Sequence, residues 1–278
     1  MMYHSIPTTH LPLIERLTDL FSVLPQVESI ALGGSLASGA GDATSDIDLY
    51  VFTRAEIPLA TRQAIVEQSG GASQSNIGLT YWGPGDEWYS APSGIEVDII
   101  YFDTAWMEEQ IRQVVQTHQG HQGYTTCLWY TVRQAQPFYD AHSWLANLQQ
   151  LCQQAYPEPL RQNIIQLNHP LLRGIIPAYA HQMEKALQRR DLVSLNHRLA
   201  ALLASYFDIL FAFNRELHPG EKRLVALAQA RCVHLPVQMA EDVAQVLIAA
   251  ATADPSLLSH LTRLLDRLDD LLAGLVNG

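Results

Sequence analysis

Lysine is nearly absent from this 278-residue chain; Lys185 and Lys222 are its two lysines. A cluster of lysines for polybasic membrane binding is therefore absent. Basic residues of both kinds number 17 against 28 acidic ones, a formal charge of −11. Such a body repels phosphate backbones, so a nucleic-acid binder built on a broad basic surface is not expected. Cysteine is scarce as well. Cys127, Cys152 and Cys232 lie far apart and form neither a CxxC pair nor a disulfide framework. Free thiols in a reducing cytoplasm are the expectation. Long hydrophobic runs are missing too. The most apolar stretch, residues 199–213, is broken by Ser205 and Asp208, is too short to span a membrane and reads as a core helix. No basic segment followed by an apolar run opens the sequence, so no signal peptide is expected. What remains is 48% apolar and 16% charged, a composition for folding, at a length that suits two ordinary domains.

Periodicity divides the chain near residue 140. Apolar residues at helical spacing over 13–24 stop at Pro25. Residues 27–32 read as a strand that runs into Gly33-Gly34-Ser35, and 47–52 as a second strand. A helix is predicted over 58–68, strands over 77–82 and 95–102 around an aromatic loop, a helix over 104–115 and a short strand at 137–139. Beyond 141 strand signals vanish, and 145–152, 175–187, 192–213, 224–230, 237–250 and 257–276 all favour helix. The expectation is an α/β unit over 1–140 followed by a helical unit over 141–278.

The chemistry is concentrated in residues 33–52. This stretch lacks the Lys-Ser/Thr of a P-loop, the GxGxxG of a dinucleotide site, and the glycine and terminal glutamate of an EF-hand. Asp46 and Asp48 alternate with apolar residues, so a strand puts both carboxylates on one face, about 6.6 Å apart. Two like charges at that spacing call for a cation, and hard oxygen donors suit Mg²⁺. Gly34-Ser35 follows a strand and opens a turn where backbone N–H groups favour phosphate. Asp98 sits within an otherwise apolar strand and needs a partner or a metal. Glu96, two residues earlier and on the same face, is a candidate general base.

Gly34-Ser35, ten intervening residues, Asp46-Ile47-Asp48, and Asp98 on a later strand together resemble the nucleotidyltransferase superfamily with the DNA polymerase β-like fold. The run 208–224 is similar to a helical C-terminal domain fused to small-molecule nucleotidyltransferases such as those acting on aminoglycosides and lincosamides. The resemblance implies an α+β fold, with a mixed-sheet catalytic domain over 1–140 and an all-helical, acceptor-binding domain over 141–278. It implies transfer of a nucleoside monophosphate, AMP by expectation, from ATP or another NTP to a hydroxyl of a small molecule. It also implies two Mg²⁺ ions on Asp46, Asp48 and Asp98, with Gly34, Ser35 and Lys222 on the phosphates. Expected partners are the triphosphate and a small hydroxylated acceptor, with no nucleic acid and no membrane. Two alternatives stay open: an adenylyltransferase that modifies a protein partner, and a non-catalytic nucleotide-binding module.

Other residues carry two readings each. Tyr81, Trp82, Trp88 and Tyr89, beside Asp86 and Glu87, either clamp a cationic or sugar-like acceptor or anchor a loop. Glu96 and Lys222 either act in catalysis or simply face solvent. His118-Gln119-Gly120-His121 has metal-like spacing but no third ligand and reads as a loop. Asp208, on an apolar helix, is expected to pair with a buried arginine.

Overall fold

The computed structural model describes residues 6–39, 41–81 and 83–274. The chain forms two compact units, one of 1–112 with 131–154, the other of 113–130 with 155–278. The polypeptide thus passes between units three times, within or beside helices, rather than at one linker.

The first unit is built on a six-stranded mixed sheet. Its strands are β1 (Val27–Leu32), β2 (Ile47–Thr53), β3 (Ala72–Leu79), β4 (Gly85–Ser90), β5 (Glu96–Asp103) and β6 (Gln136–Asp140), in the order β3-β4-β5-β2-β1-β6. β2 and β5 run parallel, and every other neighbouring pair is antiparallel. A parallel pair needs a crossover; α3 (Leu59–Gln68) lies in it and buries Ile65 and Val66. Period two sorts β2 and β5 into faces. Ile47, Leu49, Val51, Val97, Ile99 and Tyr101 enter the core with Ile14, Leu17 and Phe21 of α1 (Leu11–Ser22). Asp48, Tyr50, Asp98, Ile100 and Phe102 point the other way and are half-buried. The one-turn α2 (Gly34–Ala37), α4 (Thr104–Val115), α5 (Cys127–Gln134) and α6 (Trp144–Leu151) complete the elements before residue 155.

The second unit is helical: α7 (Glu158–His169), a π-helical turn Pro170–Gly174, α8 (Tyr179–Gln188), α9 (Leu192–Phe213), α10 (Leu224–Arg231), α11 (Met239–Ala251) and α12 (Leu257–Ala273). α9 is its axis. Asp191 caps it by accepting from the Ser194 N–H at 3.0 Å, and its second half is buried on every side from Ser205 to Phe213. α12 seats Leu257, Leu261, Leu264, Leu265 and Leu268 on the core, a stripe at i, i+3, i+4 spacing. Its end at Val276, expected from the sequence, lies outside the described residues. Asp242 of α11 is buried between Arg263 (2.9 Å) and Arg267 (2.6 Å) of α12. The sheet-then-helices architecture is α+β. Among the described residues no helix is long and apolar enough to cross a membrane.

Three expectations need correction. The aromatic loop before β5 contains a strand, β4, whose alternation is hidden because Asp86 and Trp88 share the buried face. The preceding strand lies at Ala72–Leu79, earlier than 77–82, because its polar residues sit on an exposed sheet edge. Among the described residues Asp208 has no arginine partner. It accepts from the Thr125 N–H (3.1 Å) and hydroxyl (2.7 Å), with Asn168 at 3.4 Å. Helices α5 and α7 were not anticipated; both have short, mixed faces.

Candidate active site

The turn between β1 and β2 is shaped by two close approaches. The Gly33 N–H donates to the Asp48 carbonyl at 2.8 Å, and a Cβ on Gly33 would lie 2.2 Å from the Tyr50 ring. Gly34 has φ +58°, and a Cβ there would stand 1.7 Å from Asp48 Oδ2. Only glycine lets this backbone press against that carboxylate. Ser35 follows, half-buried, in the single turn of α2. Asp46 lies just before β2, and Asp48 is its second residue.

Register joins the carboxylates. Asp48 is the direct neighbour of Asp98 across the parallel pair, and Glu87 of β4 is the direct neighbour of Asp98 on the other side. Adjacent strands lie about 4.8 Å apart. Burial, then the charges of Asp48, Glu87, Asp46 and Glu96, push the Asp98 carboxyl up to about 6. Glu96 opens β5, is exposed and faces Tyr89, whose hydroxyl it hydrogen-bonds; that bond holds the Tyr89 phenol above its ordinary value. Thus Asp46, Asp48, Asp98, Glu96, Gly34 and Ser35 all belong to the first unit, and Asp98 feels the other three acids. Lys222 belongs to the second unit, exposed on the turn before α10.

The donor set is all carboxylate oxygen, the chemistry of a hard divalent cation, and the mutual repulsion is what such a cation would relieve. The side chains do not close around a point: among the described residues no three His, Cys, Asp or Glu side chains gather tightly enough to enclose a metal.

Glu87 was missed as a member of this group, because its strand was read as a loop. The aromatic residues of the face were missed also. Beyond Asp48 and Asp98 the same face continues through Tyr50, Phe52 and Phe102. The Tyr50 and Phe102 rings stand 5.6 Å apart, and those of Phe52 and Phe102 5.7 Å. Trp144 lies 5.0 Å from Phe52, and Trp106 stacks on Phe102 at 6.2 Å with planes 3° apart. Counting in twos from each aspartate would have found Tyr50, Phe52 and Phe102. Of the aromatic residues named from the sequence, Trp88 is buried in the core, Tyr81 is exposed, Tyr89 serves Glu96, and Trp82 lies outside the described residues. Asp86 is buried too, accepting from the Tyr101 hydroxyl (2.6 Å) and the Gly78 N–H (2.7 Å), with Arg62 at 3.2 Å. His118 and His121 sit in a loop held by Asn163, Asn168 and Thr125 through backbone groups.

Residues 13–117 match the family model of the nucleotidyltransferase domain. Residues 125–224 match the model described as a domain of unknown function (DUF4037). The chain therefore carries a nucleotidyltransferase domain followed by a DUF4037 region. Among solved structures, a nucleotidyltransferase-like protein from Exiguobacterium sibiricum 255-15 is 12% identical. The match covers 94% of this chain and 75% of that one, with a TM-score of 0.43. No curated protein matches the chain.

Proposed function

We propose that the chain is a Mg²⁺-dependent nucleotidyltransferase that moves a nucleoside monophosphate, AMP first among candidates, from an NTP to a hydroxyl of a small molecule. An aminoglycoside- or lincosamide-like antibiotic is one such acceptor. The observation that carries the reading is the Asp48–Asp98 pair on parallel strands, with Gly34 pressed against Asp48. Asp46, Asp48 and Asp98 would hold the metal, which when bound neutralises triphosphate charge and acidifies the acceptor hydroxyl. Gly34 and Ser35 are proposed to receive the phosphates, and Lys222, named from the sequence alone, to bring positive charge to them. Glu96 is proposed to take the hydroxyl proton as the acceptor oxygen bonds to the α-phosphorus. The bond from that phosphorus to the bridging oxygen breaks, and pyrophosphate leaves. The strip of Tyr50, Phe102 and Trp106, backed by the buried Phe52, supports stacking of the nucleobase. It begins about 7 Å along the strand from Asp48, a nucleoside's reach from its phosphate. The helical region is proposed to bind the acceptor.

The test is incubation with α-labelled NTPs, Mg²⁺ and a panel of aminoglycosides, lincosamides and sugars. A labelled small product upholds the reading. Label on a protein band would move the acceptor class to proteins, and nucleotide binding without transfer would leave a binding module.

A further inference from the structure

Asp46 stands at the end of an irregular loop, and a carboxylate on a loop is less precisely aimed than one on a strand. The loop has an internal knot. Asp42 Oδ1 accepts from the Thr44 N–H (2.8 Å) and hydroxyl (2.7 Å), while the Asp42 N–H donates to Ser45 Oγ (2.9 Å). That knot fixes the loop's shape but not its place.

Its place is set by a residue 35 positions earlier in the sequence. His10, directly before α1, has no solvent exposure. Its Nε2 lies 2.9 Å from the carbonyl of Ser45, the residue before Asp46, and its Nδ1 lies 3.0 Å from Thr9 Oγ. A carbonyl accepts only, so Nε2 carries the proton, and Nδ1 accepts from the threonine hydroxyl. Both ring nitrogens are satisfied, as full burial demands. α1 is anchored in turn by Ile14, Leu17 and Phe21 in the core. The chain of support runs from the core through α1 and His10 to the Ser45 carbonyl and the next residue's carboxylate.

We infer that His10 is a positioning residue for Asp46: its Nε2–H bond to the Ser45 carbonyl holds Asp46 where it serves Asp48 and Asp98. This rests on the proposed metal role of Asp46. Groups that orient metal ligands without touching the metal typically cost 10- to 100-fold in affinity or activity when removed.

The experiment uses the full chain and Mn²⁺ as a probe, followed by calorimetry without substrate and then by turnover. Four variants are compared with the wild type: His10→Gln, whose amide nitrogen reaches as far as Nε2; His10→Asn, whose amide falls short; His10→Leu; and Asp46→Asn. Circular dichroism checks the fold. His10→Leu and His10→Asn are expected to weaken Mn²⁺ binding and lower kcat by about 10- to 100-fold, with acceptor KM little changed, and His10→Gln is expected to restore most of both. Wild-type Mn²⁺ affinity in folded His10→Leu and His10→Asn, while Asp46→Asn loses it, would overturn the role of His10. Unchanged Mn²⁺ affinity in Asp46→Asn would instead overturn the metal reading beneath it. Should the Leu and Asn variants fail to fold, Thr9→Val decides, because it deletes the hydroxyl that holds His10 in the Nε2–H tautomer: weakened Mn²⁺ binding upholds the proposal, and wild-type binding refutes it.

Discussion

Asp48 and Asp98 are register partners on the parallel strands β2 and β5, with Glu87 the next neighbour outward. Like charges placed directly opposite one another destabilise a sheet, so this row exists at a cost to the fold. Asp98→Asn removes one charge at nearly constant size. In chelator it is expected to raise Tm by about 2–4 °C, the effect of relieving roughly 1 kcal/mol, while turnover disappears. Thermal melts with and without Mg²⁺ check this: the divalent ion should stabilise the wild type and not the variant. A variant that melts lower in chelator yet keeps its activity would show that the pair is structural.

Gly34→Ala tests the close approach of the turn. The added Cβ would collide with the Asp48 carboxylate at 1.7 Å, in a backbone region that L side chains avoid. The expected cost is about 1–3 kcal/mol in stability, together with a displaced carboxylate and a large fall in kcat. Urea unfolding and steady-state rates measure the two separately. Wild-type behaviour in both would mean that the turn has slack.

The chain gave up its fold unevenly. Strands β1 and β2 were legible because a short run ended at glycine and apolar alternation began at the DxD aspartates, and the motif spacing located Asp98. Helix α9 was legible because its apolar run has the length of a helix. Strand β4 was not, because Asp86 and Trp88 share its buried face: a carboxylate satisfied by Tyr101, Gly78 and Arg62 looks, in sequence, like a loop residue. Glu87 was hidden by the same error, since it is not recognisable before β4 and its register with β5 are known, whereas the aromatic residues of β2 and β5 lay within reach of the period-two count. The bond from His10 to Ser45 joins residues 35 apart, and no local pattern announces it.

Glu96→Gln keeps size and hydrogen bonding but removes basicity. If Glu96 takes the acceptor proton, kcat should fall by about 10²–10⁴-fold with nucleotide affinity nearly intact. A small rate loss in Glu96→Gln, with the acid limb persisting, would remove Glu96 from the chemistry and leave the aspartates in place.

Lys222→Ala is expected to raise the nucleotide KM by roughly ten- to a hundredfold, the worth of one charge-assisted contact, and to leave the acceptor KM nearly unchanged. Initial rates across both substrates separate the two. An unchanged nucleotide KM would make Lys222 a solvent-facing lysine on its turn.

The last prediction concerns two buried ionisable groups of the helical unit, Asp208 and His218. Thr125 donates to the Asp208 carboxylate, the Thr126 hydroxyl accepts from the main-chain N–H of His218 at 2.7 Å, and the His218 ring accepts at Nδ1 from the Gly220 N–H at 3.2 Å. Burial pushes the Asp208 carboxyl up to about 7, with the Thr125 bonds opposing it, and burial pushes the His218 imidazole down to about 4. Their linkages have opposite signs. Asp208 contributes stability in full below its ordinary 3.8, and that stability is lost as pH rises toward 7. His218 contributes stability in full above its ordinary 6.5, and that is lost as pH falls toward 4. Between those limits the two slopes offset each other in the wild type, and removing either group exposes the other. The Tm of Asp208→Asn relative to wild type should therefore climb from about pH 4 to pH 7. That of His218→Phe, which keeps the ring against Tyr124 and Phe211, should decline from about pH 4 to pH 6.5. Melts of the three proteins at half-unit pH steps measure both differences, and two curves of the same sign would refute the opposed pair.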